Sequence, residues 1–227
     1  MASRSTIDPS VLRRVAIFRT LDDQQLLKIG ALLKERRFRR GDIIFHQGDA
    51  GGCLYIIKSG RVRIYLTSED GREMTFRLYG PGATFGEFSV LDNGPRSASA
   101  SALTEVTTFV LYRDDLLQLM RDNFGLVEHI IAMLTERLRY TTSYSAQLAF
   151  LSVPGRVAAI LMQLASAELS DDPVRLDLTQ QELATFASTT REWVNRALRD
   201  FADLGLVRLE RGAVIVLDPS SLRTRIN

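Results

Sequence analysis

Two short stretches of this 227-residue chain carry side chains suited to recognising charged, hydrogen-bonding partners. The first is Phe85-Gly-Glu-Phe-Ser-Val-Leu91, followed by Gly94-Pro-Arg-Ser-Ala98. A glycine-led turn opening a short helix at Gly86, Glu87 and Phe88 presents backbone N–H groups that favour an anion. Arg96 offers a planar fork for a phosphate, Ser97 adds a hydroxyl donor, and Glu87 can accept from a sugar hydroxyl. Phosphate plus ribose is the polar outline of a nucleotide. Gly-Glu and Arg-Ser pairs are also common in plain surface turns, so the residue types alone leave that second reading open.

The other stretch is Leu178-Thr-Gln-Gln-Glu-Leu-Ala184, followed by Thr189-Thr-Arg-Glu-Trp-Val-Asn-Arg196. Thr179-Gln-Gln-Glu182 is a capping box that opens a helix, with Leu183, Ala184 and Ala187 on its inner face. A turn is expected near Ser188-Thr189, and a second helix to about Leu204. Its apolar residues Val194, Ala197, Leu198 and Phe201 repeat at i, i+3, i+4 and i+7, which turns them to a core. The opposite face carries Arg191, Glu192, Asn195, Arg196 and Arg199, with Thr190 at its start. Arginine suits the two acceptors of guanine, and glutamate accepts from the amino group of cytosine. The alternative is a solvated surface helix in which Arg196 pairs back to Glu192. Capping adds a fork. With Thr189 as N-cap, Glu192 bonds back to it; with Thr190 as N-cap, Glu192 is free to read a base.

Catalysis finds no support. Cys53 is the single cysteine, so neither an internal disulfide nor a cluster held by several cysteines of one chain can form. His46 and His129 are the only histidines and lie far apart in sequence, so no metal site is expected. The net charge of +2 does not by itself announce nucleic acid. The last third, from Ser152, contains no lysine, so DNA binding there would rest on a few placed arginines. Met1 to Ser10 is polar, without the apolar core of a signal peptide, and no apolar run approaches a membrane span. A cytoplasmic protein with no membrane partner is expected.

The elements that would position these stretches are legible in outline. From about Arg36 to Tyr112, short alternating runs such as Asp42-Ile-Ile-Phe45 and Val62-Arg-Ile-Tyr-Leu66 are separated by glycines, which predicts an antiparallel barrel or sandwich. A long helical stretch follows, roughly Arg113 to Phe150. In it Val127, Ile131, Leu134, Leu138, Thr141, Ser145 and Leu148 are spaced 4-3-4-3-4-3, the seam of a coiled coil. A single helix laid on its own β-domain would use the same stripe. Thr141 and Ser145 interrupt the seam, and a ligand reaching a dimer interface is one reason for such a break. Ser152-Val-Pro-Gly155 marks a boundary or hinge, because Ser152 can cap and Pro154 is tolerated in a first turn. Beyond it come a helix (Val157 to Ala167), an Asp- and Pro-rich loop (Ser170 to Pro173), the two helices above, and a hairpin joined through Arg211-Gly212.

Taken together, the second stretch closely resembles the DNA-binding signature of the cyclic AMP receptor protein (CRP/FNR) family of bacterial regulators, and the first resembles the phosphate-binding cassette of cyclic nucleotide-binding domains. The resemblance runs from about Val11 to Leu217. It implies an α+β fold: a β-roll cyclic nucleotide-binding domain over 1–112, a dimerisation helix and hinge over 113–151, and a winged helix-turn-helix over 152–227. It assigns Arg191, Glu192 and Arg196 to a GTGA half-site repeated as an inverted palindrome. Gly86 and Glu87 match the ribose end of the cassette; Arg96 and Ser97 match its cyclic phosphate end. Arg137-Leu-Arg-Tyr-Thr-Thr142 matches the stretch whose hydroxyls hold adenine across the dimer, at Thr141 and Thr142. Two departures stand out. Ser188 occupies a turn position where the family usually has glycine, and Trp193 replaces a small hydroxyl residue; its indole offers phosphate contacts, thymine-methyl contacts or packing.

The implied mechanism is a switch. Cyclic AMP, as allosteric ligand of a homodimer, would extend the seam past Thr141 and reposition the hinge at Ser152. The two recognition helices could then enter successive major grooves of double-stranded DNA, about 34–36 Å apart. RNA polymerase is an implied partner, with 170–173 and 67–71 as candidate contact loops. A sensor of redox state or gases would need more than Cys53, and His46 in Phe45-His-Gln-Gly-Asp49 has a turn setting. A different ligand, ligand-independent binding, or a regulatory subunit of a partner enzyme are the competing readings. The last has no need of Arg191, Glu192 and Arg196 on one exposed face.

Overall fold

The computed structural model describes residues 9–166 and 173–226. The chain divides into two compact units, one built from residues up to Glu69 with Phe76–Leu138, the other from Asp70–Thr75 with Arg139 onward. The division falls within the long helix.

Helices α1 (Pro9–Leu12) and α2 (Asp23–Leu32) of the first unit precede eight strands, all in that unit except the first three residues of β5: β1 (Lys34–Phe38), β2 (Ile43–Phe45), β3 (Cys53–Ser59), β4 (Val62–Thr67), β5 (Glu73–Tyr79), β6 (Thr84–Phe85), β7 (Ser99–Ala102) and β8 (Val106–Tyr112). A one-turn helix, α3 (Phe88–Leu91), sits between β6 and β7. The strands form two four-stranded sheets, ordered β1-β8-β3-β6 and β2-β7-β4-β5. Tyr55, Ile57, Val62, Phe85, Ala100, Ala102, Val106 and Val110 make the β core. The other side of the first sheet is covered by helices: Leu54, Ile56, Phe109 and Leu111 meet Phe18, Leu26 and Ile29 of the N-terminal region. The β-domain expectation holds, with three strands added to the runs legible in the sequence.

The helical stretch after β8 is two helices, not one. The first, α4 (Arg113–Asp122), ends at Asn123, and α5 spans Phe124–Phe150. The side chain of Asn123 accepts from the Leu126 N–H at 3.0 Å, capping the second helix. Leu116, Leu126 and Ile130 bury into the first unit's core, with Met133 and Leu134 partly buried beside them.

The second unit contains the last turns of α5, then α6 (Val153–Ser166), β9 (Val174–Leu176), α7 (Gln180–Phe186), α8 (Arg191–Asp203), β10 (Val207–Glu210), β11 (Ala213–Val216) and α9 (Pro219–Arg223). Ser152 Oγ accepts from Gly155 N at 3.2 Å, the expected cap of α6. Strand order is β10-β11-β9, so the expected hairpin gains a third strand. Ala167 and residues 170–172 of the expected Asp-rich loop lie outside the described residues. Among the described residues, no helix is long and apolar enough to cross a membrane.

Candidate functional site

In the first unit, β6 delivers the chain to Gly86, whose φ of +78° suits glycine. A Cβ there would stand 2.5 Å from Arg96 Nη1, so the absence of a side chain also makes room for the guanidinium. Arg96 itself is buried. Its Nη1 donates to the Gly86 carbonyl at 2.6 Å and to Ser89 Oγ at 2.8 Å, and its Nη2 to the Cys53 carbonyl at 2.8 Å. The Phe45 ring lies beneath it, with its centroid 4.2 Å away. Backbone bonds from Arg96 N to Asp49 O (2.8 Å) and from Gly48 N to Arg96 O (2.9 Å) fix the segment. The guanidinium is therefore oriented before any ligand arrives. Among the described residues its Nε, also buried, has no hydrogen-bond partner.

Glu87 is 3% exposed and lies 3.1 Å from Arg137 Nε of α5. Its second oxygen, Oε2, is buried with no hydrogen-bond partner among the described residues. Burial pushes the Glu87 carboxyl above its ordinary range, against the pull of Arg137. Arg137 also donates to Tyr79 Oη and, at 2.6 Å, to the Thr84 carbonyl. Arg77 pairs with Glu136 at 2.7 Å nearby. Arg96 Nε, a donor, and Glu87 Oε2, an acceptor, are thus each buried and, among the described residues, without a hydrogen-bond partner. Such atoms mark a place built for a polar partner.

Gly86, Glu87, Phe88 and Arg96 come together in this loop. Phe88 is 40% exposed, and Ser97 is exposed beside Arg96. Ser89 and Arg137 belong to the same site and were not read from the sequence. The signal for Arg137 was its spacing: Leu126, Ile130, Met133 and Arg137 form one 4-3-4 stripe toward the β-domain. On the proposed seam, Ile131 and Leu138 are 56% and 67% exposed, Val127 and Leu148 are half-buried, and Leu134 packs partly on the chain's own core. Thr141, Thr142 and Ser145 are exposed on α5 and fall in the second unit.

In that unit the α7 capping box forms as expected: Glu182 N donates to Thr179 Oγ1 at 3.2 Å, and Thr179 N to Glu182 Oε2 at 2.7 Å. The turn to α8 passes through Ser188 at φ +47°, a conformation more often left to glycine. Tyr144 and Arg156 hold this turn. Tyr144 Oη donates to the Phe186 carbonyl at 3.2 Å and lies 3.3 Å from Ser188 Oγ; Arg156 Nε donates to the Ala187 carbonyl at 2.8 Å. The buried stripe of α8 is Val194, Ala197, Leu198 and Phe201. Arg191, Glu192, Arg196 and Arg199 are exposed.

The capping fork falls on the Thr190 branch: Thr190 is the N-cap of α8, without a side-chain capping bond. The neighbouring Thr190 hydroxyl holds the Glu192 carboxyl below its ordinary range. Asn195 donates to Gln180 Oε1 at 3.1 Å, tying α8 to the start of α7. Arg196 does not return to Glu192 as an ion pair; its guanidinium lies 5.7 Å from the Trp193 ring centroid. A cleft of ≈ 470 Å³ runs between this region and the hairpin, lined by Thr179, Gln180, Gln181, Arg191, Arg211 and Gly212.

Comparison with known proteins assigns a family to each part of the chain. The cyclic nucleotide-binding domain family matches residues 35–123, and the Crp-like helix-turn-helix domain family matches residues 155–225. The CRP-like cAMP-activated global transcriptional regulator of Mycobacterium tuberculosis is 39% identical over 219 residues, covering 95% of this chain and 98% of that one. The cyclic AMP receptor protein of Thermus thermophilus is 40% identical over 190 residues, covering 83% and 86%. Among solved structures, the c-di-GMP responsive global regulator CLP of Xanthomonas campestris superposes with a TM-score of 0.77 at 26% identity, covering 86% of this chain and 99% of that one. These relatives are transcription regulators, not enzymes. The chain belongs to the CRP-like, CRP/FNR family of transcription regulators, with a cyclic nucleotide-binding domain followed by a helix-turn-helix.

Proposed function

We propose that this protein is a cyclic AMP-dependent regulator that binds, as a homodimer, to a palindromic TGTGA/TCACA-like DNA site in the cytoplasm. The observation that carries the ligand half of this reading is the pair of unsatisfied buried atoms. Arg96 Nε is a cationic donor and Glu87 Oε2 an anionic acceptor. A cyclic phosphate fits the first, with Ser97 beside it, and a ribose hydroxyl fits the second. Thr141 and Thr142 are the proposed adenine contacts, which need two copies of α5 side by side. The exposed Ile131 and Leu138 supply apolar surface for that seam.

The DNA half rests on α8. Its buried stripe orients Arg191, Glu192 and Arg196 outward at the N-terminal end, the part of a recognition helix that meets base edges. Thr190, Asn195 and Arg199 flank them. RNA polymerase is a further proposed partner, through residues 67–71 and the Asp- and Pro-rich sequence 170–173.

Isothermal titration of cyclic AMP, cyclic GMP and c-di-GMP into wild type, Arg96→Ala and Glu87→Ala tests the ligand. Cyclic AMP binding that is lost in both variants is expected. Preference for c-di-GMP, which a structural relative answers to, or binding unchanged in the variants, would contradict the reading.

A further inference from the structure

The recognition helix carries one large apolar side chain on its solvent side. Trp193 stands in the first turn of α8 between Glu192 and the buried Val194, and half of its surface is exposed. It is not part of the core stripe, so packing does not account for it. Its ring lies 5.7 Å from the guanidinium of Arg196, three residues on. A guanidinium laid on an aromatic face keeps its N–H edges free for two-point bonding, as the edge of guanine requires. The contact holds the Arg196 guanidinium beside the indole and leaves half of the Trp193 surface exposed at the same level.

At that level the major groove offers one apolar group, the C5-methyl of thymine. The indole N–H donating to a phosphate is the competing contact, and the salt dependence in the test below separates the two. We propose that Trp193 is a specificity-determining residue: it contacts one thymine methyl in each half-site while positioning Arg196 beside it. This rests on the DNA-reading role proposed above and adds a base to what the helix reads.

The test removes methyl groups and nothing else. Full-length protein with cyclic AMP is titrated onto a TGTGA/TCACA duplex, and onto duplexes in which each thymine is replaced in turn by deoxyuridine, symmetrically in both half-sites. For wild type, one replacement weakens binding by about fourfold per half-site, the factor expected for one buried methyl group. Trp193→Ser binds the parent duplex more weakly and shows no penalty for the same deoxyuridine, whereas Trp193→Phe keeps part of it. Thermal unfolding of Trp193→Ser matches wild type, since the side chain is not in the core. A deoxyuridine penalty equal in wild type and Trp193→Ser overturns the inference and leaves the DNA reading standing. So does a uniform weakening on every duplex with a shallower salt dependence, the mark of a phosphate contact. Wild type that does not discriminate the TGTGA/TCACA duplex from unrelated DNA overturns both.

Discussion

The Tyr144 hydroxyl of α5 and the Ser188 hydroxyl at the turn before α8 lie 3.3 Å apart, and the tyrosine also donates to the Phe186 carbonyl at 3.2 Å. This places a residue of the long helix, two positions beyond Thr142, directly on the turn that sets the recognition helix. It also gives a reason for serine at a backbone position with φ +47°: the hydroxyl gains a partner that glycine lacks. Tyr144→Phe is expected to destabilise the second unit by about 1 kcal/mol, the usual net worth of one hydrogen bond. Ser188→Ala should cost a similar amount, because it keeps the left-handed backbone and loses the hydroxyl. Ser188→Gly should cost less than Ser188→Ala, since glycine relieves a penalty of about 1–2 kcal/mol. Urea unfolding followed through Trp193, the only tryptophan, reads this order directly. Equal effects of the two Ser188 variants would contradict it.

The Glu87–Arg137 pair carries a second prediction. Both partners are largely enclosed, at 3% and 14% side-chain exposure, and lie 3.1 Å apart. Breaking a buried pair from one side leaves an uncompensated charge and typically costs about 3–5 kcal/mol. Arg137→Met should therefore destabilise the ligand-free protein by about 3 kcal/mol. Adding Glu87→Gln should recover much of that loss, because the stranded carboxylate is removed. Full additivity of the two substitutions in a double-mutant cycle would show that they do not act as a pair.

The same carboxyl gives stability a pH dependence. Burial raises the folded-state value of Glu87 above the ordinary 4.5, so the folded chain holds that proton more tightly than the unfolded chain. Its contribution is fully present below the ordinary value and is lost as pH rises through the raised one. Glu87→Gln cannot lose a proton there and should flatten that part of the profile. Circular-dichroism unfolding between pH 4 and neutrality compares the two proteins. Parallel profiles would contradict the assignment.

Dimerisation through α5 predicts a clean separation of assembly from folding. Ile131 and Leu138 are more than half exposed in the single chain, so charge at these positions disturbs little within it. Ile131→Asp with Leu138→Asp should sediment as a monomer while unfolding at a temperature close to that of wild type. A variant that still sediments as a dimer would place the interface elsewhere.

The legible parts of this molecule were those where local chemistry and tertiary context agree. The α7 capping box, the buried stripe of α8 and the turn at Arg211-Gly212 stand where spacing put them. Strand β1 escaped notice because Lys34-Glu-Arg-Arg37 is charged and exposed; its pairing with β8, from Lys34 opposite Val110 to Phe38 opposite Val106, makes it a strand. Strand β7 reads Ser-Ala-Ser-Ala, weak in β propensity, and is held between β2 and β4. The break at Asn123 was hidden because the apolar periodicity resumes at once in α5. In the candidate sites, Arg96 and Glu87 were legible by type and spacing. Arg137, Ser89, Tyr144 and Arg156 act through partners distant in sequence, and one arginine in Arg137-Leu-Arg139 looks like the next until the stripe it shares with Leu126 and Ile130 is traced.

Ligand binding at Arg96 and Glu87 is proposed to govern DNA binding by α8. Fluorescence anisotropy of a labelled duplex bearing TGTGA and TCACA half-sites, at one stated salt concentration, tests it most directly. Cyclic AMP is expected to tighten binding by at least tenfold, Arg96→Ala to abolish this response, and Arg191→Ala and Arg196→Ala to weaken binding to this duplex by about 1–3 kcal/mol each. Tight, sequence-specific binding that is indifferent to cyclic AMP, or a response that survives Arg96→Ala, would contradict it.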